Sequence, residues 1–387
     1  MTSPENAVSP PILIPFVEPL RTGGELEALR EAVGRRRLSG DNLAARGAEA
    51  YLRGALGVAH ALLTPSGTAA LELAALLAEL QPGDEVVMPS FTFSSTANAV
   101  VLRGATPVFV DVRADTLNID ADLIRPALTE RTRAIMVVHY AGVPCDMDPI
   151  MALAKTHGLI VIEDAAQALH ARYRGRPAGA LGDMAAFSFH ETKNIHCGEG
   201  GVFVCDQQTW GERAEIIREK GTNRAAFFRG EIDKYTWVDV GSSFLPSELN
   251  AAFLGAQLER SLEITRLRLD LWDEYQASLG GLQEAGVALT PQIPQDCAHN
   301  AHIYHLRLPS AERRTAVLQA MRREGVQGVS HYVPLHSAPA GRRYGRWVGE
   351  MTNTDRAGEG LLRLPLGSEM KTEAVAQVID VVRRAVA

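Results

Sequence analysis

Between about Thr64 and Cys205, short apolar runs alternate with segments of helical period, and no other feature of the chain restricts its fold as much. The runs EVVMPS (85–90), TPVFVDV (106–112), RAIMVVHY (133–140) and GLIVIEDAA (158–166) are rich in valine and isoleucine. They do not alternate polar with apolar residues, so they read as strands buried on both faces. The intervening segments TAALELAALLAEL (68–80), DADLIRPALTE (120–130) and MDPIMALAKTHG (147–158) have helical periodicity, and the last closes on Gly158. Such alternation predicts an α/β fold with a mainly parallel sheet flanked by helices. In sheets of this kind ligands bind off the carboxyl ends of the strands.

From about Ser247 the pattern changes to one long helical stretch, SELNAAFLGAQLERSLEITRLRLDLWDEYQASL, with room for a kink. The chain ends in a further helical segment, KTEAVAQVIDVVRRAVA. A chain of 387 residues exceeds one ordinary core. The expected division is 1–255, an N-terminal segment and large domain, and 256–387, a smaller C-terminal α/β domain. The formal net charge of −7 leaves no basic excess for a general nucleic-acid binder. MTSPENAVSPPILIPFVEP does not read as a signal peptide, and no run of about 18 apolar residues suggests a membrane span. Cys145, Cys197, Cys205 and Cys297 form no CxxC pair and read as reduced thiols, as expected in the cytoplasm. His190, His196 and Cys197 match no zinc spacing, so no metal is expected.

The strand ends carry the chemistry. Ser66, Gly67 and Thr68 precede an apolar helix. Alone, that turn is an ordinary N-cap; it is equally a phosphate site, because free N–H groups and the positive end of the helix dipole meet there. Asp164 ends the run IVIED with Gln167 three residues on. It is either a helix cap or the partner of a cationic ring nitrogen. Phe91 and Phe93 follow another strand, as core residues or as a plate for a flat ring. Lys193 lies in FSFHETKNIHCGEGG (187–201), just past a β-like run and before a glycine-rich turn. Each feature has a bland explanation. Together, at one sheet edge, they supply what pyridoxal phosphate needs: a phosphate cradle, a pyridinium partner, a stacking ring and a Schiff-base amine.

At these residues the chain resembles the DegT/DnrJ/EryC1/StrS sugar-nucleotide aminotransferases, fold-type I pyridoxal-phosphate enzymes. The resemblance runs from IPF (14–16) to the C-terminal helix and includes TPSGTAALELAALL, VVHYAGVPCDMDPIMALAK, IEDAAQAL, FSFHETKN and GEGG. It implies that Lys193 is the Schiff-base lysine and that Asp164 pairs with the pyridine nitrogen. Gln167 would contact the ring hydroxyl and Phe93 would stack on the ring. Ser188 and backbone groups of Gly67, Thr68 and Ala69 would hold the phosphate. The stretch REKGTNRAAFFRGEIDKYTWVDVGSSF (218–244) is most similar to the branch that aminates C4 of a dTDP-4-keto-6-deoxyhexose. The implied donor is L-glutamate, with pyridoxamine phosphate as the half-reaction form of the cofactor and a 4-amino-4,6-dideoxy-glucose or -galactose nucleotide as product. A homodimer with shared active sites is also implied. His331, His336, Arg224, Arg229, Lys234 and Tyr235 are the substrate candidates, with half-buried strand and solvated loop as their plain alternatives.

Ser243 and Leu245 depart from the family, where asparagine and arginine are common at these positions. A dehydratase branch carries histidine in place of the lysine, and Lys193 argues against it. Competing functions are amination at C3, another pyridoxal-phosphate activity, and a binding protein without catalysis. A nucleotide-dependent dehydrogenase lacks support, since CGEGG is not GxGxxG.

Overall fold

A computed structural model describes residues 13–387; most of the N-terminal stretch read above for a signal peptide lies outside them. The apolar runs form strands of an eight-stranded sheet. In chain order these are β1 (His60–Thr64), β2 (Glu85–Pro89), β3 (Thr106–Val110), β4 (Thr132–Val138), β5 (Ile160–Asp164), β6 (Met184–Ser188) and β7 (Gly201–Cys205). Later strands are β8 (His305–Arg307), β9 (Val329–Ser330), β10 (Arg346–Trp347) and β11 (Leu361–Arg363). The large sheet is ordered β1-β7-β6-β5-β4-β2-β3-β10. Only β7 runs against its neighbours, so Thr64, Pro89, Val138, Asp164 and Ser188 all end at one edge.

The period-2 geometry of each strand divides its apolar residues between two cores. Val86, Met88, Met136 and Ile162 pack on one face with Leu73, Ala74 and Phe203. Val87, Val108, Ile135, Val137 and Val161 pack on the other with Leu52, Leu56 and Ile150. Each such side chain contributes about 1.5–3 kcal/mol on full burial. Both faces are therefore dry, which is why these runs show no polar alternation.

The long helical stretch is two helices, Glu248–Glu259 and Ser261–Leu279, broken at Arg260, whose backbone (φ −108°, ψ 10°) leaves the helical region. Trp272, Tyr275 and Leu279 pack against Val375, Val378, Ile379 and Val382 of the terminal helix Thr372–Val386. This third core backs a three-stranded antiparallel sheet, β8-β11-β9. The C-terminal part also reaches back: β10 pairs in parallel with β3 at the edge of the large sheet. Arg346 there makes a bidentate ion pair with the buried Glu85 of β2, at 3.0 and 2.7 Å.

Candidate active site

A cavity of about 770 Å³ opens where the carboxyl ends of the large sheet face β9 and β11. Lys193 lies in its wall, half-buried, on the loop between β6 and β7. Main-chain hydrogen bonds from Phe189 to Gly200 (2.7 Å) and from Cys197 to Phe189 (2.9 Å) pinch that loop shut. Asn194 fixes it further: Nδ2 donates to the Asn300 carbonyl at 2.9 Å, and Oδ1 lies 2.9 Å from His302 Nδ1. Asn300 in turn donates to the carbonyls of Gln167 (2.8 Å) and Leu169 (2.9 Å). Burial lowers the Lys193 pKa from 10.5 to about 8; the charge of Asp164 opposes that shift and the charge of Arg363 adds to it.

The helix Gly67–Leu77 begins at the same edge. Ser66 Oγ accepts the N–H of Ala69 at 3.1 Å, so this expected phosphate donor is already engaged. The N–H groups of Gly67 and Thr68 have no acceptor within the helix. Beside them lie the hydroxyls of Ser188 and Ser95, the latter 2.7 Å from Thr68 Oγ1. Two glycines let this cradle close. A Cβ on Gly67 would stand 2.8 Å from Ser188 Cβ, and one on Gly201 would stand 2.4 Å from the Ser66 carbonyl.

Asp164, only 5% exposed, ends β5 and lines the cavity. Its Oδ2 accepts from Thr96 Oγ1 at 2.8 Å and its Oδ1 accepts from Ala166 N–H at 3.2 Å. Burial pushes its carboxyl above the ordinary carboxylate range, opposed by those hydrogen bonds and by Lys193. Among the described residues no cationic side chain pairs with it within 4 Å. Gln167 is held on both ends: Oε1 accepts Ala141 N–H at 2.7 Å, and Nε2 donates to Tyr332 Oη at 2.9 Å. Phe93, 58% exposed, presents its ring to the cavity 6.3 Å from that of Tyr332, whereas Phe91 is buried in the wall behind.

His331 lines the cavity, stacked on Tyr332 at 3.6 Å with its Nδ1 2.7 Å from Tyr140 Oη. The other substrate candidates are not brought there. His336 is pinned outside the lining, its Nδ1 2.8 Å from Ser90 Oγ and its Nε2 3.3 Å from Asp355. Arg224 pairs with Glu219, and Arg229 with Glu215 and Glu231. Lys234 and Tyr235 are exposed on the same excursion, and none of the four lines this chain's cavity. Conversely, Thr96, Asn194, Arg268, His302 and Arg363 are site residues that pattern reading misses. They lie on helices, a strand and loops, and their importance lies in what the fold sets beside them. Only the closeness of Asn194 to Lys193 in sequence was a signal.

The profile of the DegT/DnrJ/EryC1/StrS aminotransferase family matches residues 25–383. The chain belongs to that family. It is a sugar aminotransferase of the pyridoxal-phosphate-dependent kind. It is 35% identical over 336 residues to the spore coat polysaccharide biosynthesis protein SpsC of Bacillus subtilis strain 168, covering 85% of this chain and 86% of that one. Its fold is similar to that of DesV from S. venezuelae, solved in complex with a ketimine intermediate (TM-score 0.89, 32% identity, covering 97% and 99% of the two chains). It is also similar to DesI, solved in the presence of its TDP-sugar product (TM-score 0.86, 30% identity, covering 97% and 93%).

The site of this aminotransferase suits that cofactor on its own residues. A buried carboxylate without a cation matches a protonated ring nitrogen, and a helix N-terminus with hydroxyls around it matches a phosphate.

Proposed function

We propose that the enzyme moves an amino group from L-glutamate to C4 of a dTDP-4-keto-6-deoxyhexose. The observation that carries the catalytic part is the meeting of Lys193, the unpaired carboxylate of Asp164 and the Gly67–Thr68 turn in one cavity. The sugar-nucleotide part is supported by likeness to DesI, with its TDP-sugar product, and to a polysaccharide biosynthesis protein. The C4 position rests on the resemblance of residues 218–244.

In this reading Gly67 and Thr68 N–H, with Ser188 Oγ, hold the phosphate. Asp164 keeps a proton on the ring nitrogen, Gln167 contacts the ring hydroxyl and Phe93 covers one face. Bound there, pyridoxal phosphate supplies a carbonyl that captures the amino group and a ring that accepts an electron pair. Lys193 Nζ removes the Cα proton of the donor and later returns a proton to C4 of the sugar. A pKa near 8 suits both tasks, because the amine is neutral often enough to act as base and protonated often enough to act as acid.

The excursion 218–244 stands outside this chain's cavity with Phe228, Tyr235, Trp237 and Val240 exposed beside Arg224, Arg229 and Lys234. We assign it to a second copy, so that the cations of one subunit reach the diphosphate in the other's site. Ser243, exposed at the end of this excursion, belongs to the same contact. Residues 1–255 and 256–387 are the two units in this scheme, and the cytoplasm is the expected compartment.

The test is the visible spectrum of the purified protein. L-Glutamate should bleach the yellow band and dTDP-4-keto-6-deoxyglucose should restore it, with NMR of the product locating nitrogen on C4. Nitrogen on C3, or bleaching without recovery, would reject the assigned substrate.

A further inference from the structure

Three lysine or arginine side chains line the cavity: Lys193, Arg268 and Arg363. Arg268 is fully engaged, its Nε, Nη1 and Nη2 donating to the carbonyls of Ala301 (3.1 Å), Leu366 (2.8 Å) and His302 (2.9 Å). Arg363 is not. It sits on β11 between His305 and Val329 of the neighbouring strands. One hydrogen bond, from Nη2 to the Ser330 carbonyl, is long at 3.3 Å. Its Nε is buried with no acceptor. Among the described residues no Asp or Glu lies within 4 Å of it. The guanidinium carbon lies 4.6 Å from the Phe16 ring centre, so the ring supports the cation without using its donors.

A guanidinium stays charged even where burial lowers its pKa, as it does here, so a half-buried fork without a counter-ion carries an uncompensated desolvation cost. The ligand that removes that cost is a planar oxyanion meeting two N–H groups. Arg363 lines the same cavity as Lys193, Asp164 and Gln167, and its charge depresses the pKa of the Lys193 amine. The oxyanion must therefore be borne close to the reacting carbon. That suits a carboxylate and disfavours the diphosphate at the far end of a sugar nucleotide.

We infer that Arg363 is the carboxylate-binding residue of the cavity. It takes either the α-carboxylate of the amino-acid donor or, in place of the 6-deoxy sugar proposed above, a carboxylate at C6 of the keto sugar. The inference rests on the aminotransferase reading above and adds to it the group that orients the donor or selects the sugar.

The experiment compares holoenzyme of wild type, Arg363→Gln and Arg363→Lys in separate half-reactions followed by the cofactor band. If the donor is the ligand, Arg363→Gln needs about tenfold to a hundredfold more L-glutamate for half-saturation, and Arg363→Lys recovers part of the loss. The preference for L-glutamate over 4-aminobutanoate, which lacks the α-carboxylate, shrinks by the same factor; a merely structural change would weaken both donors alike. In cofactor-free protein, 2-oxoglutarate raises the melting temperature of wild type but not of Arg363→Gln. If the sugar is the ligand, glutamate kinetics are unchanged and the variant loses discrimination between keto sugars bearing a carboxylate and a methyl group at C6. The inference is overturned if neither half-reaction moves, or if only a dTDP keto sugar without a carboxylate binds more weakly. Wild-type protein that glutamate does not bleach would instead bring down the aminotransferase reading, and this inference with it.

Discussion

Lys193 shows how surroundings change the acidity of an ordinary side chain. In water its amine would hold its proton to a pH near 10.5; here burial and Arg363 bring the pKa to about 8, against the pull of Asp164. Capture of an aldehyde requires the neutral amine. The rate at which cofactor-free protein takes up pyridoxal phosphate should therefore rise with pH through a midpoint about 8, as stopped-flow absorbance would show. Removing the negative charge in Asp164→Asn should move that midpoint lower, since Asp164 is what holds it up; a midpoint unchanged or raised would contradict the assigned coupling. Lys193→Ala should abolish turnover with little change in melting temperature, and appreciable residual transamination would refute the role given to Lys193. One level further back, Glu163 of β5 is fully buried and yet satisfied. Its carboxylate accepts the N–H groups of Gly179 (2.7 Å), Leu181 (2.8 Å) and Gly182 (2.6 Å), and lies 2.7 Å from His139 Nε2. Cys145 N–H donates to His139 Nδ1 at 3.0 Å, so Nε2 carries the proton that Glu163 accepts. This anchors the residue next to Asp164 with every donor around its carboxylate engaged.

Among the elements, the helix Gly67–Leu77 and the edge strand β10 depend on single contacts. Gly67→Ala would drive a Cβ to 2.8 Å from Ser188 Cβ and 3.2 Å from the Phe187 carbonyl. The turn must shift, so cofactor affinity should fall at least tenfold while stability drops by about 1–3 kcal/mol. Equilibrium dialysis of pyridoxal phosphate beside a urea melt separates the two effects. For β10, hydrogen bonds from Arg346 lead the causes that bring the Glu85 carboxyl down to about 2, against its burial. A carboxylate with a depressed folded-state pKa contributes stability that is complete above its unfolded value of about 4.5 and lost as pH falls toward 2. Chemical melts over that window should show a loss of roughly 3 kcal/mol in wild type. A flatter profile is expected for Glu85→Gln, and an equal slope in both proteins would sink the assignment.

At the scale of the molecule, the cavity exists because two separately cored parts are tied across it. Arg268, on the helix Ser261–Leu279, gathers the carbonyls of Ala301, His302 and Leu366. Arg268→Ala would leave three buried acceptors without donors, at about 3 kcal/mol or more, visible as a lower urea midpoint. The assigned second copy predicts that sedimentation finds a dimer and that Trp237→Glu, at a residue 77% exposed in the single chain, shifts it toward monomer with loss of turnover. An active monomer would refute the shared site. The sequence by itself determined the layered α/β order and the edge at which the chemistry gathers. Two-sided burial leaves unbroken runs of Val and Ile, and each loop after such a run must emerge at the same side of a parallel sheet. It thereby also marked Lys193, Asp164, Gln167, Ser188, Gly67, Thr68 and Phe93 as neighbours in the cavity, whatever role each plays. Periodicity is local, and it records nothing of contacts made at long range. That Thr96 would donate to Asp164, that Asn194 would lock to His302, and that Arg363 would be left without a counter-ion while Arg268 was spent on three carbonyls depend on residues 33 to 108 positions apart. Nor could the sequence say that His336 and the 218–244 cations lie outside this chain's own cavity, because a motif names a segment and only packing decides which way it faces. Tertiary structure alone chooses such partners, since burial makes every unmatched donor or charge costly and the folded chain settles where those costs are met together.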